Sequence, residues 1–258
     1  MQKETWSWTS ATLSSSLSSS LPSTWPGGLP AARLSRWGHY GTPVLLFPTA
    51  GGDFEEVERF GLIEAINTLV EAGRIKVFSL DGLAARGWLR GTGTPEQCVR
   101  AQRACEAFVY DEVVPHIRRD CQNDAIEIVT AGAAFGAFSA VATLCRHPDV
   151  FRAAIALSGS FDVSKYLRDA PTVEVESVSP LHYVPHLPES PGLTALRRRF
   201  VHIACGEGDF EQPSESLRLA QALGTRGVPN HLDLWGRNYP HAWATWREML
   251  PKYLTALA

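Results

Sequence analysis

The chain has 258 residues, of which 45% are hydrophobic and 20% charged, and its formal net charge is −3. This length and composition are typical of one large globular domain with a sizeable core. The slight excess of acid and the lack of a basic block argue against nucleic-acid binding. No apolar run reaches the roughly 18 residues of a membrane span. We therefore expect a protein that binds neither nucleic acid nor membrane.

Residues 1–32 are rich in serine, proline and glycine and carry three tryptophans, Trp6, Trp8 and Trp25. Disordered tails rarely hold so many aromatic side chains, so we expect an N-terminal arm or edge strands that dock on this chain or on a partner. The segment lacks the basic-then-apolar order of a secretory signal, and the five scattered cysteines without CxxC spacing favour reduced thiols. These features predict a cytoplasmic protein and leave both a monomer and a homo-oligomer open.

From Pro43 onward, apolar strands alternate with segments of helical periodicity. This alternation predicts an α/β fold, with a mostly parallel central sheet and helices on both faces, in a single domain over residues 33–258. The predicted strands are 44–47, 75–80, 126–130, 151–157, 200–205 and 231–235; the predicted helices are 54–72, 95–119, 135–146, 213–223 and 241–257. The proline-rich segment 162–199 interrupts the rhythm and is either a lid or a structural crossover.

The segment Ile128-Val-Thr-Ala-Gly132-Ala-Ala134-Phe-Gly136 has the layout of a strand, a sharp turn and a helix. The same layout surrounds the serine nucleophile of the G-x-S-x-G motif, where the turn raises the hydroxyl above the sheet. Here the central residue is Ala134, which has no oxygen. The motif therefore predicts a nucleophile position without a nucleophile.

A glycine-rich turn follows the first core strand and ends next to the elbow at the carboxyl edge of the sheet, where ligands bind in open α/β proteins. Its Gly51-Gly52 pair allows the backbone N–H groups of Ala50 and Gly51 to point into a cavity. Together with the N–H of Phe135, which follows the nucleophile position, they form the candidate oxyanion hole.

An acidic loop and a histidine follow the last two predicted strands. The loop after Cys205 contains Glu207, Asp209 and Glu211, and each of these carboxylates is able to orient a histidine. His241 lies past the last strand at the start of the last helix. The order nucleophile position, acid, histidine is the order of the triad in α/β hydrolases, so His241 is the candidate base.

Aromatic side chains are the candidates for substrate contacts, although aromatic residues beside a sheet also form ordinary core. The candidates are Phe54, Trp88, Tyr183 and Trp243. His182 and His186 have a spacing that suits a metal only on a helix, and the local prolines argue against that helix. We therefore expect no metal site.

These segments together resemble the esterase family of α/β hydrolases, the group that includes esterase D-like and mycolyltransferase-like enzymes. The resemblance covers residues 33–256. It rests on Gly41-Thr-Pro-Val-Leu-Leu-Phe-Pro-Thr-Ala-Gly-Gly52, the elbow with Arg146-His-Pro-Asp149 after it, Leu157-Ser-Gly-Ser-Phe-Asp162, and Leu234-Trp-Gly with His241-Ala-Trp-Ala-Thr-Trp-Arg-Glu-Met-Leu250.

The resemblance implies an α/β-hydrolase fold and a cofactor-free serine hydrolase that acts on small-molecule carboxylic esters or thioesters. It implies that Ala134 occupies the nucleophile position and His241 that of the base. For the acid, the family pattern after Cys205-Gly favours Glu211, whereas strand-end geometry alone would choose Asp209.

The departure from the family is Ala134, because no acyl-enzyme forms without a hydroxyl, and we expect the chain to be inactive or nearly so. Ser139, Ser158, Ser160 and Thr130 are poorly placed to replace the missing oxygen. We favour an esterase inactivated by replacement of its elbow serine, since the acidic loop and His241 are intact. The alternative is a natural, catalytically dead hydrolase that serves as a ligand-binding or protein-interaction module.

Overall fold

The computed structural model describes residues 2–8, 32–83, 85, 88, 94–167 and 172–258. They contain an eight-stranded sheet formed by β1 (Lys3–Trp8), β2 (Ala32–Trp37), β3 (Thr42–Phe47), β4 (Ile75–Leu80), β5 (Ile128–Ala133), β6 (Phe151–Leu157), β7 (Phe200–Cys205) and β8 (Asn230–Leu234). The order across the sheet is β1-β2-β4-β3-β5-β6-β7-β8. The pairs from β4 to β8 are parallel, and β1 and β2 are antiparallel additions at one edge.

Helices connect the parallel strands and cover the sheet. They are α1 (Glu56–Arg59), α2 (Leu62–Ala65), α3 (Asn67–Glu71), α4 (Pro95–Phe108), α5 (Val114–Asp120), α6 (Phe135–Arg146), α7 (Val173–Glu176), α8 (Pro180–Tyr183), α9 (Pro191–Leu196), α10 (Pro213–Thr225) and α11 (Trp243–Leu257). A π-helical turn at Val109–Val113 joins α4 to α5. Among the described residues, no helix is both long enough and apolar enough to cross a lipid bilayer.

The sheet separates two hydrophobic cores, because successive side chains of a strand point to opposite faces. In β3, Leu45 and Phe47 pack on the side of α4, α6 and α10, whereas Val44 and Leu46 pack on the side of α1–α3 and α11. Both faces of the parallel strands are therefore buried, which explains their nearly continuous apolar sequences. The prediction of a mostly parallel sheet with helices on both faces is confirmed.

Several element bounds differ from the predicted ones. Strands 75–80, 151–157 and 200–205 have the predicted bounds, but the predicted helix 54–72 is three short helices, because Gly61 has a φ of +75° and ends the first of them. Helix α10 passes through Gly224, predicted as its stop, and Gly227 with a φ of +69° follows its end instead. Strand β2 has no counterpart among the predicted strands.

The described parts of the N-terminal segment and of the segment 162–199 both pack against the rest of the chain. β1 pairs with β2 and puts Trp6 and Trp8 against His116, with ring centroids 4.4 and 5.4 Å apart. Trp25 lies outside the described residues. Between β6 and β7, residues 172–199 contribute Val178, Val184 and other buried side chains to the core beside α10. Residues 172–199 therefore pack against the core, and residues 168–171 lie outside the described part.

Candidate active site

The backbone at Ala134 makes a sharp turn between β5 and α6. Ala134 has φ 53° and ψ −118°, a conformation that is strained for any residue with a Cβ. Its N–H donates to the carbonyl of Leu157 at 3.0 Å, and its carbonyl accepts from the N–H of Ser160 at 3.3 Å. The turn is thereby fixed against the end of β6, and the Ala134 side chain is half-buried at the carboxyl edge of the sheet.

Two glycines allow the strand and the helix to meet so closely. A Cβ on Gly132 would overlap the backbone of Gly136. A Cβ on Gly136 would overlap the carbonyl oxygen of Phe47 and lie 2.7 Å from that of Pro48. The small residues of the motif therefore serve close packing of α6 against β3 and the turn after it.

We expect Gly136→Ala to destabilise the protein by about 3 kcal/mol or more, because the added methyl meets backbone atoms that have no room to move. At roughly 2–4 °C per kcal/mol for a chain of this size, Tm should fall by about 6 °C or more. Gly224→Ala is the matched control: a Cβ there meets nothing within 4 Å inside α10, so helix propensity should raise Tm slightly. A Gly136→Ala protein as stable as the parent would contradict this packing.

Ala134→Gly should stabilise the protein, because glycine adopts positive φ without a Cβ clash. The strain at a non-glycine residue of this kind is about 1–3 kcal/mol, and the extra entropy of unfolded glycine removes about 0.5–1 kcal/mol. We expect a net gain of about 1 kcal/mol, read as a Tm increase of about 2–4 °C. Ala140→Gly, inside α6, should have the opposite sign. Equal losses in both variants would show that the turn is not strained.

The glycine-rich turn after β3 lies beside the start of α6. Gly52 donates to the carbonyl of Thr49 at 3.1 Å, and Gly51 has a φ of +81°, so residues 49–52 form a tight turn with Ala50 and Gly51 at its exposed tip. The Glu56 carboxylate accepts from the N–H and the hydroxyl of Thr49, both at 2.7 Å. Burial raises the pKa of Glu56 although these hydrogen bonds oppose it. The turn is therefore anchored from within the protein.

Three backbone N–H groups near Ala134 have no hydrogen-bond acceptor in the part of the protein that the structure describes. Within the described residues, the N–H groups of Ala50, Gly51 and Phe135 donate to no protein acceptor. Phe135 is the first residue of α6, where the partial positive charge of the helix dipole adds to the N–H. The residues predicted as the oxyanion hole thus have unpaired N–H groups on the two segments that flank Ala134.

His241 and Glu211 face each other across the loops that follow β8 and β7. His241 Nδ1 lies 3.6 Å from Glu211 Oε2, an ion-pair distance slightly longer than a hydrogen bond. The Glu211 side chain is 1% exposed and the His241 side chain 27%. Asp209 is exposed, and its carbonyl accepts from the His241 N–H at 2.9 Å. Of the two carboxylates considered, it is Glu211 that approaches the histidine ring.

The Glu211 carboxylate accepts hydrogen bonds from two further residues, one of which is itself bonded to a third. Oε1 accepts from the Ser158 hydroxyl at 2.6 Å, Oε2 accepts from the Cys205 thiol at 3.2 Å, and the indole N–H of Trp246 donates to Ser158 at 3.0 Å. Burial on its own would raise the pKa of Glu211, but the interactions with His241, Ser158 and Cys205 outweigh it and keep that pKa below its ordinary value. Glu211 is therefore a buried carboxylate held in its charged form.

Cys205 lies beside the site but has the wrong chemistry for a nucleophile. Burial and the neighbouring Glu211 carboxylate raise the pKa of its thiol to about 12. The thiol therefore stays protonated near neutral pH, and the thiolate that would attack a carbonyl is scarcely populated. Its place in the site is that of a hydrogen-bond donor to Glu211.

Of the aromatic residues predicted to contact substrate, Trp243 is partly exposed near His241 in the chain, and the other three are largely buried elsewhere. Trp243, half-buried two residues after His241, stacks on Phe60 with ring centroids 4.6 Å apart. Phe54 is buried below the Arg33 guanidinium, which lies 4.3 Å from its ring centroid. Trp88 is 1% exposed in the core and donates to Gln102 at 3.4 Å.

Tyr183 packs under Arg146, at the opposite end of α6 from the elbow and about 16 Å along the helix axis. The structure does not bring it to the elbow. Trp243 stacks on Phe60 and also packs on Trp246, the residue whose ring contacts His241. Phe60 was missed because an exposed aromatic between two short helices has no sequence signature.

Ser158 and Trp246 were also missed as members of the site. Ser158 was considered only as a poorly placed replacement for the missing oxygen, although the Leu157-Ser-Gly-Ser segment follows a strand that ends beside the elbow. Trp246 lies one helical turn after Ala242 and reads as ordinary core in the sequence. Among the described residues, no group of three histidine, cysteine or acidic side chains is arranged to hold a metal ion.

The family described as Putative esterase matches residues 55–256 of the chain. No curated protein sequence matches the chain. Among solved structures, a ferulic acid esterase superposes with a TM-score of 0.68 at 17% identity, covering 100% of this chain and 99% of its own. An S-formylglutathione hydrolase from Agrobacterium tumefaciens gives a TM-score of 0.69 at 14% identity, with 98% and 93% coverage.

A third similar structure is FphF, a fluorophosphonate-binding serine hydrolase of Staphylococcus aureus. Its TM-score is 0.61 at 15% identity, and the match covers 99% of this chain and 98% of that one. Identities this low establish the fold alone, whereas the family match spans more than half of the chain. The chain therefore has the α/β-hydrolase fold and belongs to the Putative esterase family.

Proposed function

We propose that the residues around Ala134 form the site of a serine esterase for carboxylic esters or thioesters, and that this chain is a form whose elbow serine has been replaced. The observation that carries the proposal is the backbone of Ala134, with φ 53° and ψ −118°. Alanine gains nothing from this strained turn, whereas serine in the same turn presents its hydroxyl above the sheet. The turn is thus suited to a nucleophile that the chain lacks.

The roles of the other residues follow from their chemistry. With a hydroxyl at position 134, His241 takes its proton as the oxygen attacks the ester carbonyl, and then gives that proton to the leaving alcohol or thiol. Glu211 holds the Nδ1–H tautomer of His241 and stabilises the imidazolium. The N–H groups of Phe135 and of Ala50 or Gly51 stabilise the oxyanion. Water then cleaves the acyl-enzyme by the same steps in reverse order.

The chain as it stands keeps every part of this site except the attacking oxygen. We expect it to bind a small ester or thioester between the oxyanion turn and the Trp243 surface without cleaving it. The structural similarity to proteins named as a ferulic acid esterase and an S-formylglutathione hydrolase supports the choice of esters and thioesters. No cofactor enters the reaction, since each proton transfer uses His241.

The experiment that tests the proposal restores the hydroxyl. Purified Ala134→Ser protein should hydrolyse p-nitrophenyl acetate, followed as release of p-nitrophenolate, while the unaltered chain should retain at most the weak rate that an oxyanion hole and binding supply without a nucleophile. A folded Ala134→Ser protein without activity on short carboxylic esters and thioesters would overturn the proposal. That result would favour a natural, catalytically dead hydrolase that acts as a ligand-binding or protein-interaction module.

A further inference from the structure

We propose that Ser158 and Trp246 are positioning residues that fix the Glu211 carboxylate in the orientation that His241 requires. The inference rests on the proposed function, in which Glu211 orients the base. It concerns two residues from different elements, the end of β6 and the first turns of α11. Neither of them touches the substrate carbonyl in the mechanism given above.

The direction of each hydrogen bond follows from the chemistry of the donors. The indole N–H of Trp246 is able only to donate, so Ser158 Oγ must accept in the 3.0 Å contact between them. The hydroxyl proton of Ser158 is then free to point at one acceptor, and Glu211 Oε1 lies 2.6 Å away. A hydrogen bond from a hydroxyl to a carboxylate is short and strong. Trp246 therefore orients the hydroxyl, and the hydroxyl orients the carboxylate.

The backbone holds Ser158 in place for this contact. Ser158 has a φ of +48°, a conformation that L residues rarely adopt, and its N–H donates to Ala204 at 2.7 Å. The residue is 3% exposed. Strain at non-glycine residues concentrates where the surrounding structure fixes a functional side chain. At Ser158 the strained turn directs the hydroxyl from the end of β6 towards the loop that carries Glu211.

Trp246 also contacts the other member of the pair. Its ring meets the His241 ring edge to face, with centroids 5.1 Å apart and planes at 88°. One buried side chain thus touches the histidine with its ring and, through Ser158, the carboxylate with its N–H. On the other side, Oε2 accepts from the Cys205 thiol. Because each carboxylate oxygen accepts one of these hydrogen bonds, the rotation of the carboxylate is fixed. In this orientation Oε2 faces Nδ1 of His241.

The first arm of the test uses the chain with Ala134 and needs no activity. The pKa of Glu211 is measured by ¹³C NMR of labelled glutamate side chains, with the resonance assigned by Glu211→Gln. Ser158→Gly should raise that pKa, because the carboxylate loses a donor. Glycine suits a φ of +48°, and this offsets part of the stability lost with the hydroxyl, so this variant should still fold. Because the backbone improves while the hydroxyl is lost, the variant separates the two roles of Ser158.

The second arm uses the Ala134→Ser background. Ser158→Gly should lower kcat for p-nitrophenyl acetate about tenfold, the effect expected for a lost hydrogen bond to a charged group, while KM changes little. Trp246→Phe should lower kcat in the same direction and by a smaller factor, because its indole N–H bonds to the neutral hydroxyl. Trp235→Phe is the matched control, since it removes an indole N–H that donates to the Tyr253 hydroxyl at 2.9 Å, outside this network. It should leave kcat unchanged.

The outcomes separate the two proposals. A raised Glu211 pKa in Ser158→Gly, with kcat lowered in both test variants and not in Trp235→Phe, supports the positioning role. An unchanged Glu211 pKa overturns it, whether or not the Ala134→Ser parent is active. A kcat in Ser158→Gly equal to that of an active parent also overturns it and leaves the esterase assignment standing. An inactive parent overturns the proposed function alone, and the NMR arm then decides the role of Ser158.

Discussion

Ala134→Ser should raise kcat for p-nitrophenyl acetate by about 10⁴-fold or more. In a serine hydrolase whose other parts are intact, loss of the nucleophile lowers kcat by up to about 10⁶-fold, and the oxyanion hole and binding retain about 10³–10⁴-fold over water. The paired His241 and Glu211 and the unpaired N–H groups around Ala134 are in place in this chain. The hydroxyl should therefore recover most of the lost barrier, about 5–8 kcal/mol.

The gain in kcat should depend on both the hydroxyl at position 134 and the base His241. Ala134→Gly relieves the backbone strain at this turn and adds no oxygen, so it should remain inactive while folding at least as well. His241→Ala in the Ala134→Ser background should remove the gained activity almost entirely, because the hydroxyl then has no base. Activity that survives His241→Ala would place the chemistry elsewhere and contradict the assignment.

Glu211→Gln in the Ala134→Ser background should lower kcat by about 10⁴-fold. An amide at this position offers an N–H as readily as an oxygen, so it favours the wrong tautomer of His241 and no longer stabilises the imidazolium. Asp209→Asn is the control, because it removes the same charge from the residue two positions earlier in the same loop. Its side chain is exposed, and only its backbone carbonyl bonds to His241, so it should change kcat little. The reverse ranking would assign the acid to Asp209.

Glu211 should also affect how the thermal stability of the protein depends on pH in the acidic range. Its pKa is lower in the folded protein than in the unfolded chain, so its charged form stabilises the fold above the unfolded pKa of about 4.5. That contribution is lost as the pH falls through the lower folded pKa. The Tm of the parent should therefore fall more steeply than that of Glu211→Gln on acidification below about pH 5. Parallel Tm profiles would show that the carboxylate is not held in its charged form.

Much of the fold was predictable because burial leaves a pattern in the sequence. β4, β6 and β7 are buried apolar runs with clear ends, and their predicted bounds hold. The region 54–72 has apolar residues at helical spacing, but the pattern does not record that Gly61 reverses the backbone between two short helices. β2 was missed because Arg36 and Ser35 interrupt its apolar residues, although both side chains are buried.

The site was predictable in order and less so in detail. Chain order after each strand is enough to bring Ala134, the acidic loop and His241 to one edge of the sheet. The choice between Asp209 and Glu211 depends on loop geometry, and the loop places Phe210 between them at a φ of +64°. Ser158 and Trp246 lie 88 residues apart in the chain, and their hydrogen bond depends on three-dimensional packing alone. Tyr183 and Trp88 were chosen only because they are aromatic. In the structure Tyr183 packs under Arg146 and Trp88 lies in the core.

The most direct test of the central claim is the mass of the Ala134→Ser protein after exposure to a fluorophosphonate, with the modified peptide mapped. A site that lacks only its hydroxyl should gain one adduct, located at position 134, and the unaltered chain should gain none under the same conditions. The adduct should disappear when His241→Ala is added. A folded Ala134→Ser protein that takes up no probe, or takes it up only at Ser139, Ser158 or Ser160, would contradict the account.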